Sequence, residues 1–155
     1  MEKNAQKITT FLWYDDKARE AAEFYISIFK NSKIITQMGP NDKPMSVTFQ
    51  LEGQEFIALN GGPHFKFNEA ISLFVKCETQ AEIDEMWSKL TSGGGQESRC
   101  GWLKDKYGLS WQIIPPVLGQ LLGDKDPQRA QRAMAAMMQM GKIDIQKLKD
   151  AADGK

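Results

Sequence analysis

The sequence is poor in the side chains that most often build metal sites and crosslinks. It has one histidine and two cysteines among 155 residues. Cys77 and Cys100 lie far apart and form no CxxC pair, which argues against a disulfide framework and for reduced thiols. His64 has no second histidine to join it, so a histidine-rich metal site cannot be assembled. We therefore expect a protein of a reducing compartment, the cytoplasm.

The chain also lacks an excess of charge of either sign. Twenty Lys and Arg residues balance twenty Asp and Glu residues, so the formal net charge is zero. No large electrostatic field is available to attract nucleic acid or an anionic membrane surface. No stretch reaches the roughly 18 apolar residues of a membrane span, and the first residues have no apolar signal segment. We expect a soluble chain with neither nucleic acid nor membrane as a partner.

What the sequence does contain is one order of strands and a helix that occurs twice. In each copy a β-branched and aromatic stretch is followed by apolar residues at helical spacing, and then by three further strand patterns separated by turns. A shift of 62 residues places Ser72 on Thr10 and Leu90 on Ile28. Repetition of this kind predicts an α+β fold of two βαβββ modules that form curled mixed or antiparallel sheets, followed by C-terminal helices.

The length of the chain predicts a single domain, residues 1–155. Within it we expect a first module at 8–60, a linker at 61–69, a second module at 70–116 and a helical tail at 117–155. Asp16 and Thr79 are the predicted N-caps of the two module helices. Asp126, which precedes a proline, and Asp144 are the predicted caps of two tail helices.

Several stretches resemble the vicinal oxygen chelate superfamily, which includes glyoxalase I, extradiol dioxygenases and bleomycin-resistance proteins. They are FLWYDDKAREAAEFYISIFKNSKI, FIALNGGPHFKFNEAISLFVKC, CGWLKDKYGLSWQIIP and the tail RAMAAMMQMGKIDIQKLKDA. Together they are similar to the PhnB-like branch, which often carries a 3-demethylubiquinone methyltransferase label. However, no glycine-rich loop follows the first strand, so the sequence has no evident site for a nucleotide-like methyl donor.

The resemblance implies that each module curls into a half-barrel whose concave face holds a divalent metal. The ligand positions of the superfamily fall near Thr10, Ala58, Ser72 and Gln112 in this sequence. Two hydroxyls, a methyl group and an amide are a poor ligand set, because zinc and the harder cations favour imidazole, thiolate or carboxylate ligands. We expect no metal and no cofactor.

The same faces predict a cup for a small apolar or aromatic ligand, because strand residues alternate between the two faces of a sheet. Some of these side chains are instead expected to fill the barrel, among them Leu12, Phe74 and Ile114. The Trp102 ring either stacks on the ligand as a wall of the cup or packs in the core. His64 is expected on a surface loop, Cys100 as a structural thiol, and no catalytic residue is identified. The predicted ligand-binding residues are Thr10, Tyr14, Phe56, Ala58, Asn60, Ser72, Trp102 and Gln112.

The tail is rich in methionine, an adaptable apolar residue. Three roles are open for this apolar stripe: it packs across the domain, covers the cup or contacts a second chain. The last alternative predicts a homodimer with residues 126–141 at its interface. The methionines of the stripe are Met134, Met137, Met138 and Met140. The primary functional hypothesis is a metal-free small-molecule-binding protein. The alternatives are a metal-dependent isomerase, lyase or dioxygenase-type enzyme, and an interaction module that acts through the Met-rich tail.

Overall fold

The computed structural model describes residues 6–155 and divides the chain into two compact units. The first unit ends at Phe67 and the second begins at Asn68, a boundary inside the predicted linker 61–69. Each unit contains one four-stranded mixed sheet with its own helix, and the second also contains the helical tail. The predicted α+β class with two βαβββ modules is confirmed. No helix within residues 6–155 is both long and apolar enough to cross a bilayer.

The sheet of the first unit has the strand order β1-β4-β3-β2. Strands β1 and β4 are parallel, and the other pairs are antiparallel. The tight turn between β3 and β4 uses Glu52 and Gly53, both at positive φ, as a two-residue hairpin requires. The elements are β1 (Thr10–Tyr14), α1 (Ala18–Ile28), β2 (Lys33–Met38), β3 (Ser46–Leu51) and β4 (Gln54–Asn60).

Helix α1 covers one face of this sheet. Its buried stripe has helical spacing and packs against β3 and β4. The Tyr25 ring stacks on Phe49 at 6.2 Å, and its hydroxyl lies 3.0 Å from that of Tyr14 on β1. The buried side chains of α1 are Ala18, Ala21, Ala22, Tyr25 and Ile28.

The predicted N-cap of α1, Asp16, is wrong. Lys17 occupies the cap position and its side chain makes no capping hydrogen bond. Instead the Asn60 Oδ1 atom, at the end of β4, accepts a hydrogen bond of 2.8 Å from the Ala18 amide. The Asn60 Nδ2 atom donates to the Pro44 carbonyl at 2.9 Å. One of the unpaired amides of the first helical turn is thus satisfied from a distant strand.

The sheet of the second unit repeats the topology with the order β5-β8-β7-β6 and a parallel β5–β8 pair. Helix α2 begins where predicted, because Thr79 Oγ1 accepts a 3.2 Å hydrogen bond from the Glu82 amide. Strand β6 has only two residues and is shorter than the pattern predicts. The elements are β5 (Ser72–Lys76), α2 (Gln80–Thr91), β6 (Gln96–Glu97), β7 (Trp102–Lys104) and β8 (Ser110–Ile114).

The turn between β7 and β8 is built around a buried carboxylate. Asp105 is 3% exposed, and its Oδ1 atom accepts hydrogen bonds from the amides of Tyr107 at 2.9 Å and Leu109 at 3.1 Å. Its Oδ2 atom accepts a 2.9 Å bond from Trp111 Nε1. Gly108 adopts the positive φ that closes the turn. The carboxylate therefore ties the turn to the core under β8.

Three helices follow β8: α3 (Pro116–Leu122), α4 (Pro127–Met138) and α5 (Ile145–Ala152). The predicted caps are confirmed, since Asp126 accepts from the Gln128 amide and Asp144 from the Lys147 amide. Met137 and Met140 pack against the core that the helices share, whereas Met134 and Met138 remain 43% and 51% exposed. This tail core consists of Ile114, Leu118, Leu121, Ala133, Ile143, Leu148 and Ala152.

Candidate ligand-binding site

The second sheet has one face under α2 and an opposite face that carries polar side chains together with Phe74 and Trp102. Leu103, Trp111 and Ile113 are at most 2% exposed and lie on the α2 side. Because neighbours along a strand point to opposite sides, the residues between them lie on the other face. We call this the open face of the second sheet and define it by Ser72, Phe74, Trp102 and Gln112.

Three of these residues form a row across neighbouring strands. Gln112 on β8 is paired in register with Phe74 on β5 and with Trp102 on β7. Directly opposed residues of adjacent strands have Cβ atoms within about 5.5 Å, so an aromatic ring lies on each side of the amide. Phe74 is 61% exposed, while Trp102 and Gln112 are half-buried. This aromatic row is the most distinctive arrangement on the open face.

The amide at its centre is oriented by a serine. Gln112 Nε2 donates a 2.9 Å hydrogen bond to Ser72 Oγ on β5. Among residues 6–155, no protein donor is bonded to the Gln112 Oε1 atom. An uncharged amide cannot serve as a strong acid or base, but its carbonyl oxygen can accept a hydrogen bond from a ligand hydroxyl or N–H. The face is therefore suited to binding.

Next to the row lies a buried hydroxyl. Ser110 is 1% exposed, and its Oγ atom has no hydrogen-bond partner in the described part of the chain. Its register partner on β7, Lys104, forms an ion pair with Glu69. The hydrogen bond from Lys104 holds the pKa of the Glu69 carboxyl below its usual range. This end of the sheet thus combines one neutral unpaired group with a charge pair at the surface.

The first sheet places its predicted site residues elsewhere. Tyr14, Phe56 and Ala58 are at most 6% exposed and lie on the face covered by α1. Thr10 shares that face through its register with Phe56, and Asn60 is engaged by Ala18 and Pro44. The expectation that these residues line an open concave face is therefore wrong. Their contact with any ligand stays untested.

The face of β1 was assigned wrongly because the two copies differ by one residue in the spacing between strand and helix. A shift of 62 aligns the buried faces of α1 and α2, with Ile28 on Leu90. The strands need an odd shift, since exposed Phe11 corresponds to exposed Phe74 and buried Leu12 lies on the other face. A slip of one residue moves every side chain of a strand to the opposite face. Residues 10–14 were consequently assigned in reverse, whereas Ser72, Trp102 and Gln112 were not.

On the first sheet, the face opposite α1 is apolar and aromatic. Phe11 is 55% exposed, and Trp13 Nε1 donates a 2.9 Å hydrogen bond to the Gly62 carbonyl. The Phe65 ring meets that of Trp13 edge to face at 4.9 Å. A Cβ on Gly61 would lie 2.3 Å from the Trp13 ring, so only glycine allows this close approach. Trp13 is not among the predicted site residues, although correct face alternation would have included it.

The residues at the inherited metal positions do not fit a divalent cation. Ser72 and Gln112 lie on the open face of the second sheet, and Thr10 and Ala58 lie on the α1 face of the first. Within residues 6–155 no group of three or more His, Cys, Asp and Glu side chains could hold a metal ion. Two neutral oxygens are fewer and weaker ligands than zinc, magnesium or calcium sites use.

The remaining reactive side chains among the described residues are one histidine and two cysteines. His64 is exposed in the loop after β4. Cys77 is fully buried, and desolvation, with a smaller contribution from Glu82, raises the pKa of its thiol to about 12. Such a thiol is inert at neutral pH. Cys100 is half-buried rather than buried, at a positive φ of 58°, and its amide donates to the Met140 carbonyl.

Comparisons with known proteins agree with this architecture. Residues 6–114 match the profile of the family described as 3-demethylubiquinone-9 3-methyltransferase. The helices α3, α4 and α5 begin after the end of that match. No curated protein matches the chain.

Solved structures show the same likeness. A 3-demethylubiquinone-9 3-methyltransferase-labelled PhnB protein from Bacillus cereus is 38% identical, with 71% of this chain and 99% of that chain covered and a TM-score of 0.66. A fosfomycin resistance protein from Listeria monocytogenes, crystallised with Mn(II) and sulfate, is 15% identical. The match covers 72% of this chain and 92% of that chain, with a TM-score of 0.55. A glyoxalase/bleomycin resistance protein from Albidiferax ferrireducens is 11% identical. The match covers 69% of this chain and 95% of that chain, with a TM-score of 0.50. The last two likenesses show the fold alone.

Proposed function

We propose that this protein binds a small molecule. The chain belongs to the family described as 3-demethylubiquinone-9 3-methyltransferase, the PhnB-like branch of the vicinal oxygen chelate superfamily. The ligand is a small apolar or aromatic molecule that binds without a metal on the open face of the second sheet. The observation that carries the proposal is the aromatic row, in which Phe74 and Trp102 flank the Gln112 amide.

The chemistry of the row defines what fits it. Aromatic rings gain from offset stacking and edge contacts with another ring, beyond the area that they bury. The Gln112 carbonyl oxygen adds one directional acceptor, and Ser72 holds the amide in place. A few oriented polar groups within an apolar surface are typical of small-molecule sites. A flat molecule with one hydroxyl or N–H donor therefore matches the row best.

Methyl transfer is not part of the proposal, although the family description names it. The connection from β1 to α1 is Asp15-Asp16-Lys17, with no glycine at which a backbone could approach a nucleotide-like methyl donor. Metal-dependent chemistry is not favoured either. The Listeria relative was crystallised with Mn(II), but the positions inherited here offer two neutral side-chain oxygens on one sheet and no carboxylate.

Removal of the Trp102 ring tests the proposal with 1-naphthol, a flat probe with one hydroxyl. We expect Trp102→Ala to weaken binding by about 1–3 kcal/mol, because a stacking partner is lost. Isothermal titration calorimetry measures the change. Phe65→Ala, which also removes an exposed ring, is the control and should bind as the parent does. Equal affinities of the parent and Trp102→Ala would assign Trp102 to packing alone.

The predicted homodimer is retained as part of the proposal. Met134 and Met138 lie one turn apart on α4 and leave an exposed apolar stripe. Replacing both with Lys should shift light scattering from a dimer to a 17.5 kDa species with unchanged circular dichroism. The matched control is Gln128→Lys with Ala135→Lys, which adds the same charge at exposed positions on another stripe of α4. A monomeric parent, or equal effects of both pairs, would contradict the interface.

A further inference from the structure

We propose that a cavity between the second sheet and α3 forms the apolar end of the binding site and takes the hydrophobic body of a small organic anion. The charge of that anion pairs with Lys76. This inference rests on the proposed binding function and names its ligand class.

The cavity has a volume of about 270 Å³ and is walled by apolar side chains. Phe74 comes from the middle of β5, Ile114 from the end of β8, and Leu118 and Leu122 from α3. Phe74 also belongs to the aromatic row, so the cavity adjoins the open face. Pockets for drug-sized ligands measure about 300–1,000 Å³, which limits the body to a single ring or a short chain.

Lys76 supplies the charge preference. Among the described residues that line the cavity it alone has a polar side-chain group, and it is exposed. Within residues 6–155 it forms no ion pair, whereas Lys89, Lys104 and Lys142 are paired with acidic side chains. An ammonium group at the rim of an apolar cavity complements a carboxylate attached to an apolar body. An amphipathic monoanion is therefore favoured over a neutral or cationic molecule.

Gly119 shows that α3 leaves this space open. It lies inside the helix and lines the cavity, and a Cβ added there would meet no atom within 4 Å. Glycine in a helix interior is destabilising relative to alanine, so neither crowding nor backbone geometry requires it here. Helix α3 begins after residue 114, where the family match ends, so the α3 wall of the cavity lies outside the matched residues.

The test compares 4-phenylbutyrate with 4-phenylbutyramide, which share an apolar body and differ in charge. Calorimetry gives the affinities, and methyl NMR of Leu118 and Leu122 locates the bound probe. We expect the acid to bind about two- to fivefold more tightly than the amide, as an exposed ion pair allows. Lys76→Gln should remove this preference and Lys149→Gln, at an exposed lysine on α5, should keep it.

A second pair of variants tests the cavity itself. Gly119→Phe fills it and should reduce 4-phenylbutyrate affinity by about tenfold or more. Gln120→Phe, at an exposed position of α3 outside the cavity lining, should leave affinity within about twofold. Absence of saturable binding, unperturbed Leu118 and Leu122 methyls, or equal affinities of Gly119→Phe and Gln120→Phe would overturn the inference. If 1-naphthol binding still depends on Trp102 in that case, the proposed function stands and only the cavity assignment fails.

Discussion

Replacing Asp105 with alanine is expected to lower the free energy of unfolding by about 3–5 kcal/mol. The carboxylate is buried and accepts hydrogen bonds from two amides and from Trp111 Nε1. Its removal takes away the acceptor of all three hydrogen bonds, of which those from the Leu109 amide and from Trp111 Nε1 are buried. Each unsatisfied buried polar group costs about 1–3 kcal/mol. Urea unfolding followed by circular dichroism measures the loss.

Two further variants separate this effect from a general loss of charge. Asp105→Asn keeps the side-chain shape and one acceptor oxygen, so it should lose less stability than Asp105→Ala. Asp84→Ala removes an exposed carboxylate that pairs with Lys142 at 2.8 Å and should cost at most about 1 kcal/mol. A cost for Asp105→Ala no greater than that of Asp84→Ala would contradict the role assigned to the turn.

Substitution of Gly95 by alanine is expected to cost about 3 kcal/mol. Its Cβ would lie 2.6 Å from Thr91 Cα, 2.7 Å from Thr91 O and 2.8 Å from Lys104 O. All three are backbone atoms, so the end of α2 and strand β7 must move apart. Thermal and urea unfolding give the change in stability. Since β7 carries Trp102, this variant should also disturb the open face.

The control is the same substitution at Gly119, where the new methyl group meets open space. Gly119→Ala should raise stability by about 0.5–1 kcal/mol, because alanine has the higher helix propensity. The opposite signs of the two effects would show that local space, and not the loss of glycine as such, determines the outcome. A neutral Gly95→Ala would mean that α2 and β7 approach less closely than the structure shows.

The features predicted correctly are those that short sequence patterns determine. Strand and helix periodicity defined both modules, and Thr79, Asp126 and Asp144 cap their helices as expected. Each cap depends on an oxygen acceptor next to the first turn, which is a local property. Strand alternation also places Ser72 and Gln112 on one face, as their hydrogen bond shows, whereas their contact with a ligand stays a prediction.

The errors concern properties that depend on distant parts of the chain. The side chain that accepts from the first amide of α1 is Asn60, 42 residues beyond Ala18, and no local pattern indicates such a partner. The face of β1 was reversed because the two copies differ by one residue between strand and helix. Asp105 reads as an ordinary turn residue, and its burial depends on Trp111 across the hairpin. The α3 cavity likewise depends on the packing of the tail beside β5 and β8.

Fluorine NMR of protein labelled with 5-fluorotryptophan tests most directly whether a ligand binds on the open face of the second sheet. Trp102 on β7 and Trp111 on the neighbouring strand β8 lie on opposite faces of the same sheet, because Trp111 pairs with Leu103 and Trp102 with Gln112. Trp111 is therefore an internal control. Resonances are assigned with single Trp→Phe variants, and the probe is 1-naphthol. The account predicts a saturable shift of the Trp102 resonance with little change at Trp111. Two results would contradict a ligand site on this face: 1-naphthol binds without a shift of the Trp102 resonance, or 1-naphthol does not bind at all.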